Sequence, residues 1–127
     1  SLKLLKEIDK QATKNNRIIP CLLQIHIAQE DNKFGFSEEE CQQAIEMSKE
    51  FPHVHIIGLM GMASYTEDQK QIAQEFAGLK NLYDQLIQQN HRLETLSMGM
   101  SGDYPLAIAQ GSNMIRVGSK IFGPRNY

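Results

Sequence analysis

The stretch "LSMGMSGDYPLAIAQGSNMIRVGS", residues 96–119, sets a permanently charged guanidinium, Arg116, inside the apolar run "MIRVG". The run reads as a strand. Side chains alternate along a strand with period two, so Met114, Arg116 and Gly118 share one face while Ile115, Val117 and Ser119 share the other. In a central strand this guanidinium is held against a sheet interior, which costs on the order of several kcal/mol unless an anion or strong acceptor compensates it. Two partners meet that need: a core carboxylate, or a ligand at the strand ends. The other strands offer no acidic residue on a clearly inward face. Nearby, Gly99 and Gly118 allow close approach to the main chain, Ser97, Ser101 and Ser119 offer hydroxyls, and amides at the closing turn point toward an anion. Taken singly, Ser101 and Ser119 serve equally well as turn or cap residues. Their position at the ends of adjacent strands favours an anion cradle.

Outward from this stretch the chain alternates helices with apolar runs. Leu2, Leu5, Ile8 and Ala12 recur at helical spacing, and "KNNR" breaks the pattern. The sequence begins without methionine and opens inside this helix with no cap ahead of it, which leads us to expect an upstream portion. "IIPCLLQIHI" is short, uniformly apolar and β-branched, as a strand covered on both faces would be. Ser37 and Glu40 form a capping box that opens the helix "EEECQQAIEMSKEF", with Pro52 to stop it. "HVHIIGLMGM" is a second strand. Thr66 with Gln69 suggests another capping box, and Ile72, Phe76, Leu79, Tyr83 and Leu86 lay one apolar stripe along a helix that ends near Asn90. "LETLSMGM" is a third strand, Asp103 a cap for "YPLAIAQ" with Pro105 in its first turn, and Gly111 its stop. "MIRVGS" is the fourth strand, followed by one helical turn, "KIFG".

With 127 residues and 41% hydrophobic content, the chain makes one domain. A net charge of −2 with charges spread along the chain provides neither a basic stripe for nucleic acid nor an acidic tail. The two cysteines, Cys21 and Cys41, lack both metal-ligand spacing and the density of a secreted disulfide scaffold, which favours a reducing cytoplasmic setting. No apolar run approaches the roughly 20 residues that span a bilayer. Four strands alternating with helices imply right-handed crossovers and a parallel sheet, either open and doubly wound or part of a barrel. No G-x-G-x-x-G follows the first strand, whereas the last two strands end in "SMGMSGD" and "VGSKIFG", the place where barrels commonly bind phosphate. The expected fold is α/β, a partial (β/α)₈ TIM barrel of about four βα units with parallel strands.

The stretch "LSMGMSGDYPLAIAQGSNMIRVGSKIFGPRNY", with "EDNKFGF" and "GLMGM" upstream, resembles the carboxyl-terminal half of the pyridoxal phosphate homeostasis protein family, whose barrel is similar to the alanine racemase amino-terminal domain. The resemblance implies that residues 1–127 are the carboxyl-terminal half of a barrel domain that binds pyridoxal 5′-phosphate (PLP). It implies a carrier active in vitamin B6 balance, with no established catalytic reaction. By that likeness Arg116 faces the pyridine nitrogen and Ser97, Gly118 and Ser119 hold the phosphate. Met98, Gly99, Met100 and Ser101 shape the same wall. The family's covalent lysine belongs to the half of the protein before Ser1, and no lysine of this chain falls within a strand. Glu30 and Lys33 of "EDNKFGF" fall on a loop at the barrel mouth, with a role in transfer or control set against a plain loop salt bridge. Open sheet edges are expected to need the missing half or a second copy.

Other residues carry weaker signals. Gln24 and His26 alternate with Cys21, Leu23, Ile25 and Ile27 and so face the barrel centre; the family more often has Asn where His26 stands, and a hydrogen-bonded histidine is the simpler role. His53 and His55 have no third metal ligand nearby. Met60, Met62, Met98 and Met100 read as core filler, with Met60 a candidate for contact with the cofactor ring. Two further readings stay open: a PLP-dependent racemase or decarboxylase, and a barrel for another phosphorylated metabolite.

Overall fold

Helix α1, Leu2–Lys14, is capped after all, because the Ser1 side chain accepts from the Leu4 N–H at 3.2 Å. A computed structural model describes residues 1–30, 34–89 and 91–126. Next come β1 (Ile19–Gln24), α2 (Glu38–Ser48), β2 (Val54–Gly61), α3 (Gln69–Gln88), β3 (Thr95–Met98), α4 (Tyr104–Ala109) and α5 (Ser119–Phe122). The strands form one parallel sheet in the order β1-β2-β3, as helices placed between successive strands require.

Local chemistry sets the helix ends. At α2 the capping box is complete: the Ser37 N–H donates to Glu40 Oε1 at 3.0 Å, and the Glu40 N–H donates to Ser37 Oγ at 3.1 Å. The helix stops at Ser48, short of the expected Phe51, and a turn carries the chain to Pro52, whose ring bars the residue before it from helical geometry. At α3 the expected Thr66 box is replaced by Asp68, whose Oδ1 accepts from the Lys70 and Gln71 N–H groups. Thr66 instead accepts from the Asp68 N–H. Helix α3 ends at Gln88; Asn90 lies outside the described residues. The Asp103 carboxylate makes no cap bond to α4 but accepts from the Met100 N–H at 2.7 Å, tightening the turn after β3.

The Ser37 box gives a direct test. Ser37→Ala is expected to lower stability by about 1 kcal/mol, read as a shift in urea midpoint; an unchanged midpoint would show that α2 does not depend on its cap. Hydrogen bonds from the Ser37 backbone N–H, then from its side chain, hold the Glu40 carboxyl below its ordinary pKa. The sign follows: this contribution is present above the unfolded carboxyl pKa and is lost as pH falls through the lowered folded value.

Helices cover one face of the sheet. Register places Leu23, Leu59 and Leu96 side by side on that face. They pack with Phe76, Leu79, Leu82 and Leu86 of α3 and with Cys41, Ala44 and Ile45 of α2. Each such leucine contributes about 2 kcal/mol by leaving water. The same burial pushes the Cys41 thiol up to about 11, so it stays protonated and behaves as an apolar filler.

The fourth expected strand is the main departure. Residues 112–116 lie along the outer edge of β3, yet they make one parallel bridge there, Ser97 to Met114. Main-chain bonds run from the Met114 N–H to the Leu96 carbonyl, from the Met98 N–H to the Met114 carbonyl and from the Arg116 N–H to the Gly99 carbonyl, and side chains add to them. Ser112 Oγ lies 2.6 Å from the Met98 carbonyl, Asn113 Oδ1 accepts from the Leu96 N–H at 2.7 Å, and Asn113 Nδ2 donates to the Glu94 carbonyl at 2.9 Å. The apolar run "MIRVG" bonds to the edge of β3 and its turn at Met114 and Arg116, while the polar pair ahead of it satisfies the Leu96 N–H and bonds the Leu96 and Met98 carbonyls.

Candidate functional site

Parallel register builds the site from one row of residues. Gln24 pairs with Met60, and Met60 with Ser97, on the sheet face away from the leucines. The Ser97–Met114 bridge extends the row, and Arg116, two residues on, follows Met114 to the same side. The Arg116 N–H donates to the Gly99 carbonyl at 2.9 Å, which fixes the backbone at that point. Gln24, Met60, Ser97, Met114 and Arg116 line a single groove of about 550 Å³ that continues past Phe34 to the edge of β1.

Arg116 is exposed, which corrects the expectation of a buried charge. The three-stranded sheet does not close on itself, and its inner face remains open to water, so the guanidinium is not desolvated. No carboxylate among the described residues forms an ion pair with it. The alternative of a buried core ion pair is therefore not realised here.

The neighbouring residues divide between groove, core and turn. Ser97 is 3% exposed and contributes to the groove wall. Met98, expected on the same wall, is 1% exposed and packs among the leucines, because strand alternation turns it to the helix side. Gly99 has φ +106°, and a Cβ there would meet the Ala107 Cβ at 2.7 Å, so this glycine serves the turn and the close approach of α4. The Ser101 hydroxyl oxygen accepts from the Gly118 and Lys120 N–H groups, both at 3.2 Å, and ties the turn after β3 to the start of α5. Gly118 and Ser119 are exposed at that start, and a Cβ on Gly118 would meet nothing within 4 Å.

A second, smaller cavity of about 210 Å³ opens beyond the carboxyl ends of β1 and β2, lined by His26, Glu30, Phe34, Met62, Tyr65 and Met100 among others. His26 adjoins it, and its backbone N–H donates to the Phe36 carbonyl at 2.9 Å. Lys33 lies outside the described residues. His53 belongs to the opposite end of the sheet, where its ring Nδ1 lies 3.1 Å from Thr13 Oγ1 and its N–H donates to Asp9 Oδ1 at 2.9 Å. Among the described residues no cluster of His, Cys, Asp and Glu is placed to hold a metal, and no helix is long and apolar enough to cross a membrane. Sequence reasoning missed Glu75, which is 8% exposed and bonded to Ser64. Its signal was available, since position 75 falls on the buried side of α3 between Ile72 and Leu79.

Parallel strands with helices packed on one face, and a groove on the other bearing a cation, a hydroxyl and a glycine turn, define part of a (β/α)₈ barrel with its chemistry at the carboxyl ends of the strands. The chain belongs to the family described as alanine racemase, N-terminal domain, which matches residues 1–126. Curated relatives named pyridoxal phosphate homeostasis protein include those of Aquifex aeolicus, 36% identical over 125 residues, and Haemophilus influenzae, 35% identical over 127. These alignments cover 98% of this chain and 55% and 54% of the relatives, so the chain spans about half their length. Among solved structures, PipY of Synechococcus elongatus with PLP bound superposes with TM-score 0.85 at 31% identity, covering 97% of this chain and 57% of PipY. An alanine racemase of Clostridium difficile gives TM-score 0.77 at 17% identity, over 100% of this chain and 34% of the racemase, a likeness of fold alone. The resemblance read from the last 32 residues and the two motifs upstream of them is thus matched over residues 1–126.

Proposed function

We propose that this chain supplies the phosphate-binding and ring-binding part of a pyridoxal 5′-phosphate carrier, a homeostasis protein and not an enzyme. One observation carries the reading: Arg116 stands in the groove beside Ser97 and Met60 with no carboxylate of the described residues to neutralise it. A cation so placed suits an anionic heterocycle. The residues present fit that ligand. Within the groove Ser97 brings a hydroxyl and Met60 an apolar surface for a ring; Gly118 and Ser119, outside that lining, are assigned to the phosphate by the family resemblance, with open space at Gly118 for a close approach to the main chain. The names of the relatives support the same reading.

Bound PLP supplies an aldehyde and an electron-withdrawing ring. An arginine side chain has only donors, so at the ring nitrogen, where the family resemblance assigns it, Arg116 would act as a donor and favour the unprotonated nitrogen. Electron withdrawal is weakened, and the site is better suited to storage than to stabilising a carbanion. No lysine stands in β1, β2 or β3, so these strands contribute non-covalent contacts alone. Glu30 and Lys33 are assigned to control at the mouth. The edge of β1 not paired with β2 is assigned to further chain of the same barrel or to a second copy.

In the intact protein, Arg116→Ala is expected to weaken PLP binding about ten- to a hundredfold, the loss of one charge-assisted hydrogen bond. An absorbance titration measures it. Equal affinity in the variant would overturn the assignment of Arg116, and an absence of binding by the unaltered protein would overturn the function.

A further inference from the structure

The Glu75 carboxylate accepts three hydrogen bonds: from the Ser64 N–H at 2.7 Å, from Ser64 Oγ at 2.7 Å and from Gln71 Nε2 at 3.1 Å. Ser64 passes the connection on. Its hydroxyl oxygen accepts from the Gln29 N–H at 2.8 Å, and the adjoining Tyr65 N–H donates to Glu30 Oε1 at 2.6 Å. A continuous relay therefore runs from α3 through the β2–α3 loop to the β1–α2 loop. It frames the 210 Å³ cavity at the mouth, which shares Gln24 and Phe34 with the main groove. Tyr65, which this relay helps to place, is fully exposed at the rim.

The polarity of the relay requires an acceptor at position 75. A serine hydroxyl has one proton; given to Glu75, it leaves the oxygen lone pairs for the Gln29 N–H. Glutamine at 75 fails in either amide orientation. With its NH₂ toward Ser64 Oγ it opposes Gln71 Nε2 and leaves the Ser64 hydroxyl proton without its acceptor, and with its NH₂ toward the Ser64 backbone it sets donor against donor. A buried donor left without an acceptor is costly.

We infer that Glu75 is a positioning residue that acts through Ser64 to lock the two mouth loops together and so slows the departure of ligand from the groove; this last step rests on the PLP reading above. Two variants of the intact protein test it, Glu75→Gln and Ser64→Ala. Amide hydrogen exchange at Gln29 and Tyr65 is expected to quicken about tenfold or more in both, while the Leu79 and Leu96 amides keep their protection. Release of PLP, followed by absorbance after dilution, is expected to quicken with it. Unchanged exchange at Gln29 and Tyr65 in a folded variant overturns the relay, and Ser64→Ala alone decides the matter if Glu75→Gln does not fold. Faster exchange with unchanged PLP release overturns the control of ligand departure. If the unaltered protein binds no PLP, the functional reading fails and the exchange data still decide the relay.

Discussion

Phe76→Ala is expected to lower the stability of the protein by about 3–5 kcal/mol, enough to remove much of the margin by which a domain of this size stays folded. Phe76 is 0% exposed at the middle of α3, in one cluster with the sheet leucines Leu59 and Leu96. Its ring is the largest fully buried side chain, so truncation leaves a cavity that the surrounding leucines cannot close without leaving their own rotamers. Urea unfolding followed by circular dichroism measures the change. A loss under about 1 kcal/mol would mean that α3 is not clamped to the sheet as described.

Gly58→Ala is the second large effect, and its cause is the main chain. Gly58 pairs with Thr95 in the β2–β3 register, and an added Cβ would run into the Thr95 carbonyl oxygen and stand 2.7 Å from the carbonyl carbon. Backbone in a parallel ladder cannot step aside without breaking its hydrogen bonds. The strands must separate, and the expected cost is about 3 kcal/mol. Gly102→Ala is the matched control, because a Cβ there meets nothing within 4 Å. Similar unfolding midpoints for the two variants would refute the close approach of β2 and β3.

Helix faces and the apolar strands were legible because their signals are redundant. Five residues of α3 repeat one stripe, and each strand is a short apolar run between breakers. Where a single residue decides, periodicity loses its power: Thr66 and Asp68 are both competent caps, and only the path of the loop selects Asp68. Ser112 and Asn113 illustrate a different limit. Their side chains can mimic backbone pairing, and the short sequence does not reveal that they share the edge of β3 with the run that follows them. At the site, alternation put Arg116 on the face of Met114 and turned Gln24 toward the barrel centre, and all three line the groove. For Met98 the core-filler reading holds and the place that family likeness gave it in the ligand wall does not. The shift of pairing between Cys21 and Leu22, which brings Gly58 opposite Leu22, has one sequence signal, that glycine inside the β2 run, which does not say which strand carries the irregularity.

The stitching of Arg116 to β3 through Ser112 and Asn113 has an outcome for affinity. Four main-chain hydrogen bonds, from the Asn113, Met114 and Arg116 N–H groups to the Leu96 and Gly99 carbonyls and from the Met98 N–H to the Met114 carbonyl, hold the segment together with those two side chains, and the groove has its cation only while the segment is docked. Apparent affinity is then the intrinsic affinity scaled by the docked fraction. Ser112 and Asn113, neither of them assigned a contact with ligand, thereby add to the affinity of the proposed site by holding Arg116 docked.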